Sequence, residues 1–222
     1  MIDKRKNYYL TIDTETANTL DDPLVYDIGG AIHDKKGNIY ETFSFLIYDI
    51  FCLEKALMRT AYYADKLPLY TEKIQNQEIK LVNFSTAKKH IAKLSKKYNI
   101  KAIIAHNMFF DYRAVSTTQR YITKSKYRHF LPYDIPLYCT LNMARSTVLK
   151  QKSYISWTKE YGYTTKAGRP RATAEILYKY LSGQNNFIEE HTGLADVLIE
   201  IQIFAWIMRQ NKKTNKLAFK SR

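Results

Sequence analysis

Asp13 and Glu15 stand two residues apart at the end of the run Tyr8-Tyr9-Leu10-Thr11-Ile12. That run is aromatic and β-branched, as a buried strand should be. If the backbone is still extended at Asp13, the period of two puts both carboxylates on one face. Like charges that close raise one another's pKa unless a cation lies between them. Two Mg²⁺ or Mn²⁺ ions would supply that cation, because hard ions take oxygen ligands. A strand running into an ordinary acidic loop shows the same triplet, so its meaning depends on the rest of the chain.

Two other stretches add to it. His106-Asn107-Met108-Phe109-Phe110-Asp111 follows Ile100 to Ala105, a short apolar run that reads as a buried, parallel strand. Asp111 would then sit at the carboxyl-end crevice where open α/β sheets place their ligands. His191-Thr192-Gly193-Leu194-Ala195-Asp196 opens the last long apolar-striped run. Asp196, among Leu194, Ala195, Val197 and Leu198, is an acid inside apolar sequence, costly to bury unless paired or metal-bound. Four carboxylates converging on one crevice describe a two-metal site for phosphodiester cleavage, with ions about 3.5–4 Å apart.

Periodicity supplies the elements that would position these groups. After a polar loop beyond Glu15, Leu24 to His33 and Ile39 to Tyr48 read as strands around a turn at 34–38, making an antiparallel meander with the first. Residues 51–67 read as a helix ended by Pro68, followed by a polar loop to Glu78. Phe84 to Tyr98 is amphipathic, with Phe84, Ala87, Ile91 and Leu94 on one stripe. A helix from Phe110 to about Tyr121 follows the buried strand. Pro132 and Pro136 restrict any strand within 131–140 to a short or edge one. Further helices are expected at 153–161, at 171–181 closed by Ser182-Gly183, and from His191 to Gln210. The result is an α/β chain: a mixed sheet of five strands, three antiparallel and then parallel, with helices on both faces.

The 222 residues make one domain over 1–210, with 51–83 as an elaboration and 211–222 as a basic tail carrying Lys212, Lys213, Lys216, Lys220 and Arg222. Cys52 and Cys139 lack a CxxC partner, which argues against a cysteine zinc site or a disulfide framework. No run approaches a membrane span and no apolar signal core follows the first residues, so a cytoplasmic protein without a membrane partner is expected. The formal charge of +14, from 35 Lys and Arg against 21 Asp and Glu, draws polyanions. Nucleic acid is the natural one. Arg113, Arg120, Lys124, Lys126 and Arg128 within 112–130 have no acid among them. Residues 145–171 carry Arg145, Lys150, Lys152, Lys159, Lys166, Arg169 and Arg171 against Glu160 alone. Both stretches flank the expected sheet edge and could track a phosphate backbone.

Taken together, these motifs resemble the DEDDh 3′–5′ exonucleases, a ribonuclease-H-like group. Asp-x-Glu falls on Asp13 and Glu15, His-Asn-x-x-Phe-Asp on His106, Asn107, Phe110 and Asp111, and His-x-x-x-x-Asp on His191 and Asp196. The likeness spans roughly residues 8–205. It is closest to exonucleases of phages and prophages of low-GC Gram-positive bacteria, through Thr60-Ala61-Tyr62-Tyr63, Gln151-Lys152-Ser153-Tyr154 and Thr173-Ala174-Glu175.

The resemblance implies a ribonuclease-H-like exonuclease fold and two Mg²⁺ or Mn²⁺ ions. Asp13, Glu15 and Asp196 would hold one ion, and Asp13 and Asp111 the other. His191 would be the general base, and Thr192 excludes the sister branch that uses a Tyr there. Thr14 and Thr16 would seat the terminal nucleotide, while Asn107 and Phe110 brace the site. Tyr62 or Tyr63 would press on the last bases of single-stranded substrate. His106 reads as structural. The substrate implied is single-stranded or frayed DNA, with RNA as the alternative, and replication or repair proteins as partners. Thr16-Ala17 replaces the Thr-Gly of many relatives, which leaves the preference between ribose and deoxyribose open. A non-catalytic nucleic-acid-binding module is the competing reading from another class; an endonuclease of the same general fold is a third, disfavoured by His-x4-Asp.

Overall fold

The computed structural model describes residues 2–127 and 129–219. In chain order, β1 (Tyr8–Asn18), β2 (Pro23–Asp34) and β3 (Ile39–Ile47) are followed by the short helices α1 (Tyr48–Phe51) and α2 (Lys55–Met58) and by α3 (Leu67–Gln75). Next come β4 (Lys80–Val82), α4 (Phe84–Tyr98), β5 (Ile103–Ala105), α5 (Met108–Thr123) and β6 (Leu137–Cys139). The chain then runs through α6 (Thr140–Ser146), α7 (Lys152–Glu160), α8 (Ala174–Ser182) and α9 (Gly193–Arg209).

The antiparallel meander forms as expected, β1 with β2 and β2 with β3. Parallel β5 joins β1, and β6 joins β5 at one edge. Among the described residues the sheet has six strands, not five, in the order β4-β3-β2-β1-β5-β6. The extra one, β4, is a three-residue edge strand parallel to β3. It is too short to show an alternation and exists through its pairing.

Alternation along β1 separates two cores. Tyr8, Leu10 and Ile12 pack with Phe84, Ile91 and Leu94 of α4 and Ala114 and Val115 of α5. Tyr9 faces the other way, with Ile104 of β5, Leu177 of α8 and Ile203 and Phe204 of α9. The sheet is therefore sandwiched between helices on both faces, and the odd-numbered face of β1 looks onto α9.

Several expectations on elements need correction. β1 does not give way to loop after Glu15; it continues to Asn18, with a register shift between Glu15 and Thr16, because β2 offers backbone partners along its length. No helix spans 51–67. Two four-residue helices and a 3-10 turn at Ala64–Lys66 occupy that stretch, and Pro68 begins α3 instead of ending a helix. Proline suits a first helical turn, whose N–H groups lack intrahelical acceptors. The stretch read as a loop to Glu78 is therefore mostly helix, anchored by a fully buried Tyr70. α6 was not anticipated at all.

α8 starts at Ala174, where the Thr173 hydroxyl accepts from the Ile176 N–H, and ends at left-handed Gly183. α9 starts at Gly193, so His191 lies outside it, with φ 60°. The end of the chain is tied down: Cys139 N–H donates to the Lys216 carbonyl (2.8 Å) and Ala218 N–H to the Leu137 carbonyl (2.9 Å), extending the edge at β6. Arg128, Lys220 and Arg222, expected in basic stretches, lie outside the described residues. Both cysteines are free thiols. Among the described residues no helix is long and apolar enough to cross a membrane.

Candidate active site

A cleft of about 610 Å³ opens at the carboxyl ends of β1 and β5, at the sheet edge where such ligands are expected. Every residue assigned to the site from sequence lines it: Asp13, Thr14, Glu15, Thr16, Tyr62, Tyr63, Asn107, Phe110, Asp111, His191 and Asp196. Asp13 and Glu15 share the α9-facing side of β1, as the strand period requires. Asp111 comes from the first turn of α5, and Asp196 from the first turn of α9.

Three local devices set these groups. The Thr14 hydroxyl, on the opposite face of β1, donates to Asp111 Oδ1 at 2.9 Å and joins residues 97 apart. The start of α9 lies directly on β2: a Cβ at Gly29 would come within 2.0 Å of the Gly193 carbonyl carbon, and one at Gly193 within 2.5 Å of Gly29 N. Only glycine at both positions lets the helix approach this closely. Asp27 completes the seat, its Oδ2 accepting from the Gly193 N–H (2.9 Å) and the Tyr70 hydroxyl (2.7 Å). Gly193→Ala is accordingly expected to cost about 1–3 kcal/mol or more as the overpacked contact opens. A urea melt reads the loss, and unchanged stability would contradict the described seat.

The ring of His191 stacks on Tyr63, centroids 3.9 Å apart and planes within 10°. Its Nδ1 lies 3.9 Å from Asp196 Oδ2 and 3.7 Å from Glu189 Oε2. Tyr63 thus gives one ring face to His191, whereas Tyr62 is 66% exposed and free to meet another ring. His106 is held on both sides, Nδ1 by the Thr140 hydroxyl (2.9 Å) and Nε2 by the Ala172 carbonyl (2.8 Å). Burial lowers its pKa to about 4, so it is a neutral structural strut, as expected.

Sequence reasoning missed four charged lining residues: Glu189, Glu200, Arg145 and Arg171. Glu200 was findable by the logic that singled out Asp196, since it too is an acid in an apolar run, one helical turn further on. Leu20, 59% exposed at the cleft rim, carried no sequence signal. Arg145 and Arg171 were named only within a basic stretch. Arg113, from the other stretch, donates to the Leu20 carbonyl at 2.6 Å and lies over the Phe109 and Phe110 rings.

The electrostatics are those of a crowd of acids. Burial, then Glu200 and Asp111, pushes Asp13 far above the carboxylate range. Burial and Asp196 take Glu15 up to about 10, burial takes Asp111 to about 7 against the Thr14 hydrogen bond, and burial with Glu189 takes Asp196 to about 8. Glu200 is raised mainly by burial as well. Asp196 Oδ1 and Glu200 Oε2 are buried without a hydrogen-bond partner. Bare buried carboxylate oxygens beside other acids fit divalent cations, which would offset both the burial and the repulsion. A ligand atom from each of Glu15, His191 and Asp196 lies within 4.8 Å of the other two.

No protein-family model and no curated protein matches the sequence. Solved structures do match in shape. Escherichia coli Exonuclease I in complex with a 5cy-dT13 oligonucleotide is 16% identical, with TM-score 0.56 over 93% of this chain and 41% of that one. Cell-death related nuclease 4 is 10% identical, with TM-score 0.54 over 95% of this chain and 67% of that one. This chain thus spans about two fifths of the Exonuclease I chain. The likeness shows the fold, which is the ribonuclease-H-like exonuclease fold that the motifs implied.

Proposed function

We propose that this protein is a metal-dependent 3′–5′ exonuclease, hydrolysing phosphodiester bonds from the 3′ end of single-stranded or frayed DNA and releasing 5′-mononucleotides. One observation carries the reading: Asp13, Glu15, Asp111 and Asp196, from three distant parts of the chain, line one cleft with His191 beside them. The shared fold of two solved nucleases supports it.

Asp13, Glu15 and Asp196 would hold one divalent ion and Asp13 with Asp111 the second, Mg²⁺ or Mn²⁺. When bound, such ions supply charge that stabilises the entering and leaving oxygens of in-line displacement at phosphorus. The chain's own residues do the rest. Burial lowers the pKa of His191, so the imidazole is neutral near pH 7 and keeps a lone pair for the proton of the attacking water. Tyr63 fixes the plane of that ring. Thr14 holds Asp111 in place, Thr16 seats the terminal sugar, and Asn107 and Phe110 close the floor of the cleft. Tyr62 offers an exposed ring to a base. Arg145 and Arg171, exposed on the opposite wall, are placed for backbone phosphates. The phage-type motifs suit an enzyme of the cytoplasm, of the host if phage-encoded, acting beside replication or repair proteins.

The test is a 5′-labelled single strand with Mg²⁺ or Mn²⁺, run beside duplex DNA and short RNA. A ladder shortening from the 3′ end supports the proposal; binding with no product under either ion refutes it, and cuts in a circular strand indicate an endonuclease. Replacing the base in His191→Ala is expected to slow shortening by about 10²–10⁴-fold, the range of lost acid–base help. A near-normal rate in that variant would remove His191 from its role.

A further inference from the structure

We infer that Glu15, His191 and Asp196 form a nitrogen-bearing site for a borderline transition-metal ion, Zn²⁺ above all, and that capture of this ion silences the base. The geometry is close to a binding one. The three ligand atoms lie within 4.8 Å of one another, and His191 Nδ1 stands 3.9 Å from Asp196 Oδ2. Zinc–nitrogen bonds of about 2.0–2.1 Å and zinc–oxygen bonds of about 2.0–2.2 Å together span up to about 4.2 Å. An ion therefore fits between those two atoms with the side chains nearly as they stand.

Two observations beyond the cluster itself point to a ligand. Asp196 is 6% exposed and its Oδ1 is buried without any partner, an oxygen still to be satisfied. Tyr63 covers a face of the imidazole, which leaves the in-plane nitrogens to make its contacts. Glu189 Oε2, 3.7 Å from Nδ1, adds negative charge on the same side.

Ligand chemistry sets the ion. Carboxylates alone suit Mg²⁺, whereas a set that includes imidazole favours Zn²⁺ and its neighbours. A neutral imidazole has one nitrogen with a free lone pair and one bearing a proton. Whichever nitrogen binds the ion, none is left to accept a proton from water. The loss of turnover rests on the nuclease proposal, but the ligand set can be tested without it.

The full chain, stripped with a chelator, is titrated calorimetrically with ZnCl₂ and separately with MgCl₂, beside His191→Ala. The variant is expected to lose at least about 100-fold in Zn²⁺ affinity, beyond the roughly 10–100-fold that a merely supporting residue costs. Its Mg²⁺ affinity should stay within about threefold, since Mg²⁺ relies on oxygen ligands, and this also shows that the variant is folded. Pulsed EPR of the Mn²⁺-loaded protein should show a nitrogen coupling that the variant lacks. Equal Zn²⁺ affinity in both proteins, or an equal loss for both ions, overturns the inference. Zinc capture as expected, with no strand shortened in Mg²⁺, would instead leave this site standing and remove the nuclease proposal.

Discussion

Asp196→Asn, with Asp13→Asn beside it, is expected to slow 3′-end shortening by about 10³-fold or more while raising the melting temperature of the ion-free protein. The two effects have one cause. Burial and neighbouring acids hold Asp196 up to about 8 and Asp13 higher still, so in the fold their charges are costly. An amide of the same shape removes a charge and relieves that crowding, and each kcal/mol relieved lifts the melting temperature by about 2–4 °C in a chain of this size. The same amide is a poor ligand for a hard cation. Several kcal/mol of transition-state charge stabilisation depend on such ligands, and about 1.4 kcal/mol is a factor of ten in rate. Thermal melts in EDTA and timed digestion in Mg²⁺ read the two halves separately. A variant that melts lower would contradict the electrostatic picture, and one that digests normally would end the catalytic assignment.

Between about pH 6.5 and 9, the ion-free protein is expected to lose stability steadily, and MgCl₂ or MnCl₂ to restore it most at the alkaline end. Asp111, Asp196 and Glu15 are raised to about 7, 8 and 10. In the unfolded chain all three would be ionised throughout this window, so the folded state holds the extra protons. Stability that is full at low pH is therefore lost as pH climbs through the folded values. His33 and His106, both lowered by burial to about 4, act in the other direction. They cost stability as pH falls from 6.5 toward 4, because the unfolded rings take protons the buried ones refuse. The ion-free optimum thus lies near pH 6. Ions that bind deprotonated carboxylates compete with protons. At a hundred times Kd they add about 2.7 kcal/mol, or roughly 5–11 °C. Melting curves across pH, with EDTA and with each ion, decide it. A shift that is flat with pH, or a destabilising one, would show that the acids are not the ligands.

Much of this site was legible before folding because its chemistry is encoded locally. A period of two makes Asp13 and Glu15 share a face, and an acid in the apolar start of α9 announces itself as Asp196. The same local logic failed at 51–83. There, short turns and a helix begun by Pro68 are held by tertiary contacts such as the Tyr70 hydroxyl on Asp27, which leave no periodic trace. β4 and α6 escaped for the same reason. Glu200 was within reach of the argument applied to Asp196 and was passed over.

By itself, then, the sequence determined which groups are available: the acids, the imidazole, the alternation of strand and helix, and the cationic balance of +14. It could not say that Gly29 and Gly193 let α9 lie on β2, that Asp27 holds a backbone N–H 166 residues away, or that Tyr63 rests on the ring of His191. Those facts belong to the tertiary structure. Burial periodicity is a property of neighbouring residues, whereas close approach between remote segments depends on how whole elements pack.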